Sequence, residues 1–383
     1  MPGPVCKNAD RPEAKRDMTS VWALPGPSAF LDRIRDSVTE GRSVVLGLPA
    51  HTPSGIESAV RKVIPDAWLW THIKADPARI PAEQLAAACA IDLRCLPSDA
   101  PRELLKFDGF LGRVIWVEGV EGGLVSQWCD FLGSYEASCR NVGAASRSPI
   151  IVSLTQDDAC KVPSNEIALS GFRWIDVLGY VDALLYASIN LSKTSHSPTR
   201  QYLMASVVAR VSLWDIEVAD RLLKSRPEDM LAPYAVLDEI GRDRGWISDT
   251  EILWEKGTLG SVDGVSRPHS AICMLSGNQA EVDRRVWVGQ ASVLLPLIEE
   301  RRLELLAHVR PFLSLPVQTE FGVISDPRDL EIGQLAHQVR RSGAEAKLKA
   351  KVERLRLARN KLAHMEPLET AAALHEVIHT PIE

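Results

Sequence analysis

Three short runs of this chain hold residue types at spacings that do chemistry. The first is Arg359-Asn360-Lys361-Leu362-Ala363-His364. A guanidinium fork matches the oxygens of a phosphate. An imidazole, whose ordinary pKa lies near neutrality, gives or takes a proton at the reacting atom. The second is His375-Glu376-Val377-Ile378-His379, an H-E-x-x-H run. On a helix it puts two imidazoles on one face for zinc, with the glutamate as base. Such a site needs a third ligand, and only Thr380, Pro381, Ile382 and Glu383 follow. We therefore expect an amphipathic terminal helix with two surface histidines and no metal. The third run is Gly47-Leu48-Pro49-Ala50-His51-Thr52-Pro53-Ser54-Gly55, just after a strand-like stretch. It stands where a P-loop would cradle phosphates with backbone N–H groups, but the lysine that neutralises them is missing.

The Arg359 run belongs on a helix. Leu348, Val352, Leu355 and Leu362 recur at core-facing spacing. Arg359 falls on the same stripe, between Leu355 and Leu362. An unpaired buried charge is expensive. It either pairs with a carboxylate of another helix, Glu299 or Glu300 being candidates, or snorkels, or marks where the stripe opens into a phosphate site. His364 is five residues on, about 500° of rotation, so it points about 140° away from Arg359. Asn360 and His364, one turn apart, are the face-mates. A helix end, or a second copy across a two-fold axis, has to complete the site.

Charge points to the same segment. The 383 residues carry a net charge of −6. Between Gly333 and Lys361, however, stand Arg340, Arg341, Lys347, Lys349, Lys351, Arg354, Arg356, Arg359 and Lys361 against Glu345 and Glu353. That segment is +7 and the remainder −13, by count of the same sequence. A basic stripe of this kind is the electrostatic footprint of a nucleic-acid partner. The competing reading is a solvated face paired with acidic residues elsewhere. No aromatic residue interleaves the cations, so base stacking is not indicated.

At Arg359, Asn360 and His364 the sequence resembles the HEPN family, whose ribonucleases carry an R-x4–6-H motif, often with a polar residue after the arginine. The resemblance covers roughly the last hundred residues. Arg302-Leu303-Glu304-Leu305-Leu306-Ala307-His308 has a similar spacing, but apolar Leu303 stands where the polar residue belongs. The resemblance implies a metal-independent endoribonuclease without a cofactor. The RNA's own 2′-OH would attack the adjacent phosphate, His364 acting as base or acid. Arg359 would stabilise charge on the phosphate oxygens, and Asn360 would orient the imidazole or hold the RNA backbone. Lys347, Lys351, Arg354, Arg356 and Lys361 would form the RNA-binding surface, and two chains would pair through the C-terminal bundle.

The elements that position these runs fall into segments. Ser43–Pro49, Trp68–Ile73, Arg113–Gly119 and Pro149–Leu154 are β-rich runs ended by turn formers. Ala82–Ala90 and Val125–Ser138 between them are helix-like. Buried strands separated by helices predict an α/β domain with a mainly parallel sheet over 20–195. This region resembles a degenerate P-loop ATPase core of the AAA-like or STAND type. Its third strand offers one carboxylate, Glu118, where hydrolases carry two acidic residues. The middle, 196–280, reads as helical, with helices over Thr199–Leu223 and Pro233–Arg244 and a loop over 257–264. Residues 281–383 read as the HEPN-like helical bundle. Pro296 is expected to kink its first helix, and Pro311 and Pro316 to close it. Helices over Asp326–Ser342, Glu345–Glu366 and Glu369–Ile378 follow. Ser342-Gly343-Ala344-Glu345 reads as a capping box.

Residues 1–19 read as a disordered extension without a secretory signal, and Met18 is an alternative start. No apolar run is long enough to cross a bilayer. The seven cysteines, Cys6, Cys89, Cys95, Cys129, Cys139, Cys160 and Cys273, form no C-x-x-C pair and fit a reducing cytoplasm. The expectation is a multidomain α/β plus all-α protein. Its C-terminal bundle cleaves RNA for a bacterial toxin or phage-defence system, and its N-terminal domains sense a trigger or dock a partner protein. The alternative is a non-catalytic HEPN adaptor of a defence complex.

Overall fold

A computed structural model describes residues 20–92, 100–154, 166–320 and 322–382. The proposed extension, with Met18 and Cys6, lies outside the described residues, as do Cys95 and Cys160. The molecule is mixed α/β, with a five-stranded parallel sheet and many helices.

The sheet is built from β1 (Ser43–Gly47), β2 (Leu69–Lys74), β3 (Arg113–Val120), β4 (Ile150–Leu154) and β5 (Leu169–Arg173). Its order is β2-β3-β4-β1-β5, and every pairing is parallel. The central strands β1 and β4 are buried at every residue. This is why they read as unbroken apolar runs, without the alternation of a one-sided sheet. Alternate residues of β1 enter opposite cores. Val44 and Leu46 pack with α1 (Pro25–Thr39) and α2 (Ile56–Val63). Val45 packs with α3 (Pro81–Ala88), α4 (Ala100–Leu104) and α5 (Gly123–Cys139) on the other face. Four strands match the sequence reading; β5 is additional.

The chain continues through α6 (Tyr180–Leu191), α7 (Pro198–Ser212), α8 (Ile216–Lys224), α9 (Pro227–Leu231) and α10 (Tyr234–Asp243). The helix expected over Thr199–Leu223 is two helices. The break is at Leu213, whose positive φ of 57° no helix interior accepts, and Asp215 caps the second helix at the N–H of Glu217. The loop expected over 257–264 is mostly a hairpin, β6 (Leu259–Val262) and β7 (Val265–Pro268). Its two-residue turn, Asp263-Gly264, has positive φ at both positions, as a type I′ turn requires.

After α11 (Ser270–Leu275), α12 (Gln279–Val309) runs as one helix through Pro296, which costs the hydrogen bond to the carbonyl of Ser292. A small hairpin, β8 (Val317–Thr319) and β9 (Gly322–Ile324), leads to α13 (Ile332–Arg341) and α14 (Ala346–Ala363). The capping box at Ser342 is not formed. Glu345 is the N-cap of α14, and Ser342 Oγ accepts from Ala344 N–H at 3.2 Å in the turn before it. The terminal helix expected over Glu369–Ile378 is two short ones, α15 (Thr370–Ala373) and α16 (Glu376–His379). One apolar core runs from α1 through α7, α12 and α14 to α16. Apolar contact is therefore continuous across 20–195, 196–280 and 281–383. Among the described residues, no helix is long and apolar enough to cross a membrane.

Candidate functional site

The end of α14 is fixed from two directions. Val352, Leu355 and Leu362 are buried, as their spacing requires, and Leu348 is half-buried. The indole N–H of Trp287 on α12 donates to the carbonyl of Leu362 at 2.7 Å. The helix then closes in a Schellman turn. Glu366 N–H donates to Lys361 O at 3.0 Å, and Met365 N–H to Leu362 O at 3.2 Å. Met365 takes the left-handed position, at φ 62°. His364 is the C-cap residue and is exposed, with half-buried Asn360 one turn before it.

Arg359 does not pair with Glu299 or Glu300. Those carboxylates hold Arg302, at 2.7 Å, and Arg301, at 3.4 Å. Arg359 instead lies at the rim of its stripe, 37% exposed, with Nη2 3.9 Å from Glu331 at the start of α13. Glu331 is itself 71% exposed, so the contact is a loose surface ion pair of little energy. The guanidinium is not sealed. Both residues stand at the end of α14, where helix geometry turns His364 about 140° from Arg359, so one straight helix does not aim both at one atom. Arg302 is a strap: besides Glu299 it donates to the carbonyls of Arg328 at 3.0 Å and Leu330 at 2.8 Å.

The five expected RNA-binding cations separate. Among the described residues Lys347, Lys351 and Arg354 make no ion pair, while Arg356 is clamped by Glu353 at 2.7 Å. That clamp, with Arg340 on the other side, holds the Glu353 carboxyl down at about 2. Among the described residues Lys361 pairs only with Glu369, at 3.9 Å.

The H-E-x-x-H residues do not make a zinc pair, because the helix they need is broken at His375. That residue is the N-cap of α16, and its Nδ1 accepts from Val377 N–H at 3.1 Å. His379 is buried, not a surface residue, with Nε2 donating to Ala373 O at 2.7 Å and Nδ1 3.1 Å from Thr199 Oγ1. Among the described residues one trio has potential metal ligands within 4.8 Å of one another: Glu57, His72 and Glu118. Half-exposed His72 stands on the sheet edge, 3.5 Å from Glu57 and 3.4 Å from Glu118.

A cavity of about 640 Å³ opens at the carboxyl end of β1, bordered by the loop from Ala50 to Ser54 and by the start of α8. Ligands of open parallel sheets bind at such ends. In its wall and just behind it stands a cluster that the sequence did not reveal: half-buried His51 and Arg244 with buried Asp215 and His269. Ala271 N–H donates to His269 Nδ1, so Nε2 carries the proton that reaches Asp215 Oδ2 at 3.2 Å. Arg244 bridges Asp215 and Glu217, each at 2.6 Å. Burial pushes the Asp215 carboxyl up, but His269 and Arg244 outweigh it and hold it well below the carboxylate range. Burial lowers both histidines, His51 to about 4. Among the described residues His51 Nδ1 has no hydrogen-bond partner.

The loop after β1 is also filled from the middle of the chain. Ala50 N–H donates to Glu255 O at 3.1 Å. A Cβ on Gly257, at φ 71°, would stand 3.1 Å from His51 Nδ1. Lys256 is tied to Glu251, and Arg244 to its two carboxylates. Among the described residues of the cavity no cation is left uncommitted for a phosphate. Compared with known proteins, the chain matches no family model and no curated protein.

Proposed function

We propose that this chain is a metal-independent endoribonuclease of HEPN type, with Arg359, Asn360 and His364 as its catalytic residues. One observation carries the reading. An exposed imidazole and its face-mate amide end a helix whose cations Lys347, Lys351 and Arg354 have no carboxylate partner among the described residues. His364 transfers the proton of the attacking 2′-OH or of the leaving oxygen. Arg359, loosely held by Glu331, stabilises the phosphate oxygens in the transition state. Because the two diverge on one helix, the arginine and histidine of a site come from two chains related by a two-fold axis.

The five-stranded parallel sheet and the filled loop after β1 support a degenerate nucleotide-binding scaffold in the N-terminal part. In this reading it serves as sensor or dock for a partner protein of a bacterial toxin or phage-defence system, and the protein works in the cytoplasm. The test is cleavage of a single-stranded RNA by the full chain in the presence of chelator. Wild type cleaves, and His364→Ala and Arg359→Ala each lose about 10²–10⁴-fold. Equal cleavage by wild type and His364→Ala would falsify the assignment. RNA binding without cleavage by any form would leave the adaptor reading in its place.

A further inference from the structure

We propose that the RNA-binding surface runs off α14, across His375, and on to Arg200 at the start of α7. Together these form one cationic track for the sugar–phosphate backbone of a single RNA strand. The proposal rests on the ribonuclease reading above and adds two residues outside its motif.

Three elements meet to make the track. Lys347, Lys351 and Arg354 lie at i, i+4 and i+7 of α14, within about 60° of helix and about 10 Å of length. α16 packs on α14, and His375 is its N-cap. With Nδ1 accepting from Val377 N–H, the neutral ring keeps its proton on Nε2 as a donor. Arg200, in the first turn of α7, donates Nη2 to the carbonyl of Leu374 at 2.9 Å. That anchors a guanidinium beside the residue that precedes His375.

Charge balance at this junction is lopsided. α7 is 15 residues long and carries no acidic residue in its own first turn to offset the positive end of its dipole. Arg301, nearby, is committed to Glu304 and Glu300. Desolvation first, and then the Arg354 and Arg200 charges, hold His375 below its ordinary value, with Glu376 opposing them. Cations gathered with so little counter-charge favour a polyanion that draws close to all of them. The spacing of the cations along a helix, with a turn of backbone beside them, suits a chain of phosphates.

The experiment is fluorescence anisotropy of the full chain with a 2′-O-methyl uridylate oligomer, which keeps the phosphates but lacks the attacking hydroxyl, across a salt series. Each lost phosphate contact lowers the slope of log K against log salt by about 0.7 for a single strand. Arg200→Gln keeps a donor for Leu374 and is expected to lower the slope by about that amount, while Arg200→Lys restores it. His375→Asn keeps the cap acceptor for Val377 N–H and is expected to weaken binding severalfold. In the wild type, bound oligomer shifts the His375 imidazole titration to higher pH. An unchanged slope, affinity and titration, with binding still dependent on Lys351 and Arg354, overturns the track and leaves the ribonuclease reading standing. No binding by wild type overturns both. Displacement of the oligomer by polyglutamate of equal charge overturns the commitment to RNA.

Discussion

The indole N–H of Trp287 donates to the carbonyl of Leu362, two residues before His364, at 2.7 Å. One helix thereby sets the height at which another ends and offers its histidine. Trp287 is only half-buried, so Trp287→Phe keeps most of its apolar contact and removes the hydrogen bond. The expected loss of stability is about 1 kcal/mol. If the chain is the proposed ribonuclease, cleavage is expected to fall through kcat more than KM, because the imidazole is mispositioned while the cations of α14 remain. Steady-state kinetics alongside denaturant unfolding check both parts.

Met365 makes a second test of the same helix end. It holds the left-handed position of the Schellman turn with φ 62°, where glycine is the usual occupant, and its side chain is 57% exposed. A non-glycine residue there costs roughly 1–2 kcal/mol, and little burial offsets it. Glycine in turn raises the entropy of the unfolded chain by roughly 0.5–1 kcal/mol. Met365→Gly is therefore expected to be neutral to stabilising by up to about 1 kcal/mol. Met365→Val, branched at Cβ, is expected to destabilise. Midpoints of urea unfolding read the sign directly.

The legible parts of this chain were those written in contiguous residues. Strands β1, β3 and β4 are buried on both faces and announce themselves as apolar runs. The strand β5 does not, because Leu169-Ser170-Gly171-Phe172-Arg173 mixes small and polar residues; its pairing with β1 defines it. The β6–β7 hairpin had a local signal, the Asp263-Gly264 dipeptide, inside a run that otherwise reads as loop. The H-E-x-x-H run misleads for a related reason. Period and residue type fit a helix, but His375 leaves the helix and caps α16 with its own ring nitrogen. In the α14 site the rotation between Arg359 and His364 follows from helix geometry, whereas Glu331, the carboxylate beside Arg359, comes from a different helix and no spacing names it. The His51, Asp215, Arg244 and His269 cluster assembles residues from four distant places, so nothing in the sequence links them.

That cluster carries a pH prediction. Burial holds His51 at about 4 in the folded chain, against 6.5 ordinarily. The unfolded chain therefore binds more protons between those values, and stability rises with pH through that window. The contribution is complete above about 6.5 and is lost as pH falls toward 4, on the order of 3 kcal/mol in all. Asp215, held below the carboxylate range, acts in the same direction at still lower pH. His51→Phe is expected to make the dependence between pH 6.5 and 4 shallower, with His269, also lowered by burial, supplying part of what remains. Urea unfolding of both proteins across that range decides it; parallel curves would place the titrating group elsewhere.

The divergence of Arg359 and His364 leads to a complementation experiment. If each site takes its arginine from one chain and its histidine from the other, neither Arg359→Ala nor His364→Ala homodimers hold a complete pair. A mixed dimer holds one complete pair, made of the arginine from the second variant and the histidine from the first. Its other site lacks both groups. Random exchange makes half of the dimers mixed, so the mixture is expected to recover about a quarter of wild-type cleavage. Each variant alone stays at its residual level. The comparison is made after subunits are exchanged by dilution and reconcentration. Activity of the mixture equal to the mean of the two variants means that each site is built within one chain, and the bend needed to bring Arg359 to His364 must then be sought in the last turn of α14.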